Sequence, residues 1–366
     1  MKKKLLALLL VFTMVVGLIT ACSKKADLSC WDTLREMQKV TSGTFSFDIA
    51  LKVDTTEQTS EVPAGVADAL KDLHIKVDGV TQSSKGELTK ASMSFKYKLP
   101  DSDKYEAITD VIYDGEAYYV NLKTIREFIK GLNDASISPY AEILKADNDY
   151  LKITQDDMKF LTQLSGTSVE TPDLQVSGDN TKAVQILSNK VITILEKTSK
   201  NVKPEMVSEK DGTYTINVDN NNLESFLKSL KKVLESDGDT LYKEAVTEIK
   251  KLKNVEPSLV TELEDNQDKF VSSTTKGIDD FLKDFDKDAK GELGYKMNFS
   301  LDGKEGSRKS KVDYDFNLKN TETKENVGMS FKGSVDEGNK GEVTVPKEST
   351  SLTAFMTSLM STLGVQ

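Results

Sequence analysis

Few residues in this sequence could carry chemistry, and each can be weighed by its type and spacing. There is one histidine, His74, and there are two cysteines, Cys22 and Cys30. A serine-type triad or a general base would have to be built on His74. His74 alternates with Leu73 and Ile75, so it falls on the polar side of a strand as a surface histidine. One histidine cannot supply a site of clustered imidazoles. Asp284, Asp286 and Asp288 stand at the first three ligand positions of a calcium loop. The glycine needed at the sixth position is Ala289, and the glutamate needed at the twelfth is Tyr295. These acids read as a solvated face or a helix end. Gly303 and Gly306 lie in a strand turn without a trailing helix, so they cradle no phosphate. Cys30 sits beside Trp31 in an apolar helical pattern, with only Lys24 and Lys25 near enough in sequence to lower its pKa, and reads as a buried structural thiol. The pattern points to no enzyme, no metal and no cofactor.

Cys22 is different. Lys2, Lys3 and Lys4 precede an apolar run from Leu5 to Ile19. A run of ~15 residues falls short of the ~20 that span a bilayer. A charged start, a brief apolar stretch and small residues at its end make residues 1–21 a secretory signal peptide. Ile19-Thr20-Ala21-Cys22 resembles a bacterial lipobox. That resemblance implies diacylglycerol transfer to the Cys22 thiol, cleavage after Ala21 and an acylated Cys22 as first residue of the mature chain. Cys30 then has no partner for an intrachain disulfide. Residues 22–26 make a short tether, whose few extended residues reach ~15–18 Å. The folded body, 27–366, is expected as a single domain held close to the membrane.

The sequence holds 49 basic and 59 acidic residues, and three of the lysines fall in residues 1–21. The mature chain therefore has 46 basic against 59 acidic residues, a net charge of −13. That balance excludes nucleic acid as a partner, because binding it needs clustered positive charge. It also opposes broad adhesion to anionic lipid heads.

The elements that must position any site follow from hydrophobic period. Asp27 is placed to cap a helix running to about Thr41, with Leu28, Trp31 and Leu34 on one stripe. Period two then takes over. Phe45, Phe47, Ile49, Leu51 and Val53 alternate with polar residues through Asp54. Residues 57–70 read as a loop. Strands follow around Ile75 and Val77, and around Met93, Phe95, Tyr97 and Leu99, turned at Lys85-Gly86. A hairpin from Tyr105 to Leu122 folds at Asp114-Gly115. The middle, about 123–290, is helical, with one lone strand over Tyr214–Val218. Asp219 or Asn220 can cap the next helix, and Gly238 stands past its end. Period two returns from Gly291 through three strands, and Val343 and Val345 suggest a last short one. The tail after Ser349 has no charged residue and carries Leu352, Phe355, Met356, Leu359, Met360 and Leu363 on one helical stripe. Each strand has one apolar face. Joined, the strands give an α+β fold with a curled antiparallel sheet of ~9–10 strands, an open half-barrel whose concave face the helices cover.

A tethered cysteine, an opening helix, long alternating strands such as Gly43–Asp54, the hairpin Ile112–Val120 and helices packed on the sheet resemble the LolA/LppX-like lipoproteins. The resemblance is one of pattern over most of the mature chain, with a longer helical middle here. It implies an unclosed barrel whose apolar inside holds acyl chains. Phe45, Phe47, Ile49, Phe95, Tyr97, Tyr295, Phe299, Tyr314 and Phe316 are the candidate lining. The same residues also fit a solid core against the helices, so two functions stay open. One is an extracytoplasmic lipoprotein of a Gram-positive cell membrane that binds or carries a hydrophobic ligand, most simply a lipid. The other is a ligand-free module that senses or scaffolds an envelope protein. The bilayer, reached through acylated Cys22, is a partner in both.

Replacing the thiol tests the anchor. Cys22→Ser should abolish acylation and leave the precursor uncleaved or the protein released, measured by membrane fractionation and intact mass. A Cys22→Ser protein that is fully processed and still in the membrane fraction contradicts the lipobox reading.

Overall fold

The computed structural model of the protein describes residues 28–40, 42–54, 73–84, 87–99, 102–132, 137–165, 178–287, 291–320 and 326–363. The signal peptide, Cys22 and its tether, the Asp27 cap, the 57–70 loop, the Lys85-Gly86 turn and Asp288 lie outside the described residues.

Helix α1 (Cys30–Met37) precedes strands β1 (Gly43–Asp54), β2 (Leu73–Ser84), β3 (Glu87–Lys98), β4 (Glu106–Tyr113) and β5 (Ala117–Asn121). Helices α2 (Leu122–Gly131) and α3 (Ser138–Ile143), strand β6 (Tyr150–Thr154), and helices α4 (Gln155–Ser165) and α5 (Gly178–Ser199) follow. Next come β7 (Val207–Lys210), β8 (Thr213–Asp219), α6 (Leu223–Val233), α7 (Asp239–Ile249), α8 (Pro257–Asn266) and α9 (Phe270–Lys287). The chain closes with β9 (Gly291–Asp302), β10 (Lys309–Asn320), β11 (Asn326–Asp336), β12 (Thr350–Ser351) and α10 (Leu352–Leu363). The fold is α+β. Its strands form one large unclosed sheet in the order β12-β6-β5-β4-β3-β2-β1-β11-β10-β9-β8-β7. Pairing is antiparallel from β2 to β6 and from β11 to β7. Strand β12 runs parallel to β6. Strands from both ends of the chain share the sheet, as their single apolar faces require.

The chain divides into two compact units. One takes the described residues of Met1–Val40, Ile49–Asp72 and Ser177–Gly338, the other those of Thr41–Asp48, Leu73–Val176 and Asn339–Gln366. Strand β1 passes from one to the other between Asp48 and Ile49.

In the first unit, α1 begins two residues later than the sequence pattern suggests. Ser29 is the cap, and its hydroxyl accepts from the Asp32 N–H at 3.1 Å. Arg35 fastens α1 to α5, donating to Glu196 at 2.5 Å. The lone strand expected at Tyr214–Val218 has a partner: β7 and β8 make a hairpin across Asp211-Gly212, where both residues have positive φ (52° and 75°). This is the geometry of a two-residue primed turn, which Asp-Gly favours. Helix α6 is capped at Asn222, not at Asp219 or Asn220. Gly238 does not end a helix. The chain continues through a π turn, Leu234–Gly238, into α7. A Cβ at Gly238 would come within 2.7 Å of Val271 Cγ2, so the glycine admits α9 at close range.

In the second unit, the Asp114-Gly115 hairpin forms as expected, with Gly115 at φ 101°. The Asp114 carboxylate accepts from the Glu116 and Ala117 N–H groups and from the Tyr119 hydroxyl. Burial alone would raise its pKa, but these bonds outweigh burial and hold it below the usual carboxylate range. Val343 and Val345 form no strand. They lie in an extended segment packed on Ile112, Ala117, Tyr119 and Tyr150. Gly341 lets this segment approach: a Cβ there would meet Val80 Cγ2 at 2.7 Å, and its carbonyl accepts from Gln82 Nε2 at 3.1 Å. The segment then pairs Thr350 and Ser351 with Leu151 and Lys152 at the sheet edge. Helix α10 follows and buries Leu352 and Phe355 against Leu122 and Leu151. Tyr150 and Leu151 are neighbours in β6 and point to opposite faces. The C-terminal segment therefore covers one face, caps the edge and packs on the other.

Phe355 is 7% exposed in that cluster. Phe355→Ala should lower stability by about 3 kcal/mol, measured by urea unfolding of the whole chain. A loss under about 1 kcal/mol would mean that α10 only rests on the sheet.

Candidate functional site

The candidate lining residues divide into two environments. In the first unit, Tyr295, Phe299, Tyr314 and Phe316 are 4%, 1%, 0% and 8% exposed. Period two places them on the inner faces of β9 and β10. There they pack with Trp31, Leu34 and Met37 of α1, Phe226 and Leu227 of α6 and Ile278 of α9. Tyr214 lies against Phe299 with ring centroids 5.6 Å apart, and Tyr295 against Tyr314 at 5.2 Å. The Tyr214 hydroxyl donates to the Leu28 carbonyl, which ties the start of α1 to β8. These four residues form core. Burial pushes the Tyr295 and Tyr314 phenols up. Among the described residues, the Tyr314 hydroxyl has no hydrogen-bond partner. Ile49, at the start of this unit's part of β1, is half-buried. Cys30 is 5% exposed in the same core, and burial pushes its thiol up to about 12.

In the second unit, Phe45, Phe47 and Phe95 are only half-buried. Phe45 and Phe47 stack with centroids 5.0 Å apart. Phe45 reaches over Gly79, where a Cβ would lie 2.4 Å from its Cζ. Gly79 pairs with Met93 and Val77 with Phe95, so these residues share one face. Tyr97 on that face is buried, edge-on to Phe128 of α2 at 4.9 Å, and its hydroxyl donates to Glu106 at 2.8 Å. Burial and then Glu106 push the Tyr97 phenol up to about 12. The structure thus assembles Phe45, Phe47, Phe95 and Tyr97 on one sheet face, and seals the β9 and β10 aromatics in a separate core.

The opposite face of β1, β2 and β3 holds a network that sequence reasoning did not assemble. His74 is on the polar side of β2 as expected, but it is half-buried, and its Nδ1 lies 3.3 Å from Asp48 Oδ1. The Tyr105 hydroxyl donates to the other Asp48 oxygen at 2.5 Å. Burial, and then this bond, push the Tyr105 phenol well above its ordinary range. The Tyr105 ring carries the Lys76 and Lys98 ammonium groups at 5.9 and 5.6 Å from its centroid. Asp78 accepts from Ser46 and from Lys96. Tyr105, the expected start of the hairpin, stands just before β4, and no sequence pattern links it to Asp48. Only the fold brings it across β3 and β2 to reach β1.

Other expected chemistry is placed plainly. Asp284 and Asp286 lie within helix α9, where backbone geometry forms no calcium loop. Among the described residues, no three His, Cys, Asp or Glu side chains converge as a metal site. Gly303 and Gly306 have φ of 91° and 82° in the β9–β10 turn. A shallow cleft of about 450 Å³ on the first unit is lined by Asn201, Glu224, Ser225, Lys228, Ser229 and Lys232, a polar set with no aromatic.

Fold and faces define an α+β protein built on a large, open, mostly antiparallel sheet with several covering helices. Comparison of the chain with protein-family models, curated proteins and solved structures gave no match.

One substitution should act in opposite directions at two tyrosines. Tyr105→Phe removes a bond to a carboxylate and should cost about 1–2 kcal/mol, reduced by partial exposure. Tyr314→Phe removes a buried hydroxyl without a partner and should be neutral or stabilising by about 1 kcal/mol. Thermal unfolding of both variants checks the pair, and equal losses at the two positions would contradict it.

Proposed function

We propose that this protein is a lipid-anchored extracytoplasmic lipoprotein that holds a hydrophobic ligand, a lipid, on the Phe45/Phe47/Phe95 face of its second unit. The proposal includes acylation of Cys22 in the Ile19–Cys22 lipobox, an open half-barrel form of the sheet and the absence of catalysis. One observation carries the ligand reading. The β9 and β10 aromatics are sealed under helices, whereas Phe45, Phe47 and Phe95 remain half-buried. Ligand seats are lined mostly by apolar side chains with a few placed polar groups, and this face has that composition, with Tyr97 and Glu106 at its margin. The tether supports the location. From Cys22 to Leu28 the chain extends at most ~20 Å, and α1 is fixed in the first unit's core by Trp31, Leu34 and Met37.

A second reading, a ligand-free module that engages an envelope protein, is favoured by the packed core of the first unit. The test purifies the protein natively, extracts it with organic solvent and weighs the extract by mass spectrometry. The carrier reading expects near-stoichiometric lipid in the parent and a several-fold loss in Phe47→Asp. Protein that extracts without lipid, or retains the same lipid in Phe47→Asp, overturns the carrier reading and leaves the module.

A further inference from the structure

The polar face of β2 and β3, opposite the aromatic residues, gathers positive charge in an acidic protein. The strand register sets Lys76 directly opposite Lys96 and His74 directly opposite Lys98. Like charges directly opposite across two strands destabilise a sheet. Asp78 offsets part of that repulsion, lying 3.2 Å from the Lys76 Nζ and 3.0 Å from the Lys96 Nζ. It also accepts from the Ser46 hydroxyl at 2.7 Å. Asp48 is engaged by the Tyr105 hydroxyl and by His74. The Lys98 ammonium lies over the Tyr105 ring, with no carboxylate partner among the described residues. Two ammonium groups thus lie over one half-buried tyrosine, a third, that of Lys96, stands opposite Lys76 on Asp78, and Asp48 and Asp78 are both already engaged.

We propose that Lys76, Lys96 and Lys98 form a site for a phosphate ester. The site lies on the sheet face away from the proposed lipid seat and does not depend on it. Lysines alone build it, and that favours a tetrahedral oxyanion. Each ammonium is a compact point charge with three donors, the form in which lysine binds phosphate, and several of them can share the oxygens of one tetrahedral group. An incoming phosphate oxygen meets Lys98 first, then shares Lys76 and Lys96 with Asp78. The phosphate relieves the cross-strand repulsion that Asp78 only partly offsets. The net negative charge of the chain opposes anions at long range, so binding is short-ranged and weakens with salt. The same chemistry fits a free phosphate ester or the phosphate of a lipid headgroup.

Calorimetric titration of the full-length protein in a neutral, phosphate-free detergent tests the site with two probes. They are glycerol 3-phosphate in solution and phosphatidylglycerol mixed into the micelles. Saturable binding of either probe, about tenfold weaker in Lys98→Gln and retained in Lys98→Arg, supports the site. The probe that binds then names the source of the phosphate. Lys311→Gln, an exposed lysine of β10, should bind like the parent. Unchanged melting of Lys98→Gln confirms that the loss is one of binding. The proposal is overturned if neither probe binds, if Lys98→Gln and Lys98→Arg weaken binding alike, or if Lys311→Gln weakens it as much. Glycerate binding as tightly as glycerol 3-phosphate would equally overturn it, because the site would then read charge and not phosphate.

Discussion

Each long strand of this chain carries apolar side chains on one face, and that face must leave water. The rest of the structure answers this requirement. Burying apolar area contributes roughly 25 cal/mol per Å², while an uncovered face of a sheet invites association with other chains. In the first unit the answer is fullest at the centre of β8, β9 and β10. Helices α1, α6 and α9 lie over β8, β9 and β10, and side chains as large as Phe226, Phe299 and Tyr314 are almost wholly removed from water. Even the tyrosine hydroxyl at the centre is enclosed, at the expense of a hydrogen bond.

In the second unit the answer is partial. Helix α2 covers Tyr97 through Phe128, and α10 covers the β6 end. Phe45, Phe47 and Phe95 are left partly exposed. The contrast between the two units, more than any single residue, separates a structural core from a partly exposed apolar face. It also locates the exposed part on strands that adjoin the charged network of the other face.

Covering a face does not protect an edge. Unpaired backbone groups at an edge strand template further pairing. The C-terminal segment meets that need in the second unit with only two paired residues, Thr350 and Ser351, held between an extended stretch on one face and a helix on the other. At the other end of the strand order, β7 is four residues long and carries Ser208, Glu209 and Lys210. A short, charged strand is itself a poor template. The polar face needs its own support. Tyr105 supplies it by spanning adjacent strands, its ring under two lysines and its hydroxyl on Asp48.

Period two in the sequence determined where the long strands lie and which side of each is apolar, because side-chain direction alternates along any strand whatever it pairs with. The Asp114-Gly115 turn and the burial of the uncharged C-terminal stripe were legible for similarly local reasons. Asp211-Gly212 carried the same hairpin signal, but β7 was missed and Tyr214–Val218 read as a lone strand, because Val207–Lys210 has too little alternation to stand out alone. Strands β6 and β12 were not legible. Segments so short owe their form to backbone bonds with neighbours distant in sequence, as Thr350 does with Leu151. Gly238 looks like a helix end by composition, and only the close approach of Val271 explains why a glycine sits inside a continuing helical run. The division of the nine candidate lining residues was decided by tertiary structure alone. Alternation says that Phe47 and Phe299 both face an apolar side. Whether helices close over that side depends on packing between segments more than a hundred residues apart, as Phe299 with Trp31 shows. The Tyr105 network is the same case on the polar face, since hydrogen bonds among Asp48, His74 and Tyr105 exist only once the three are brought together by the sheet.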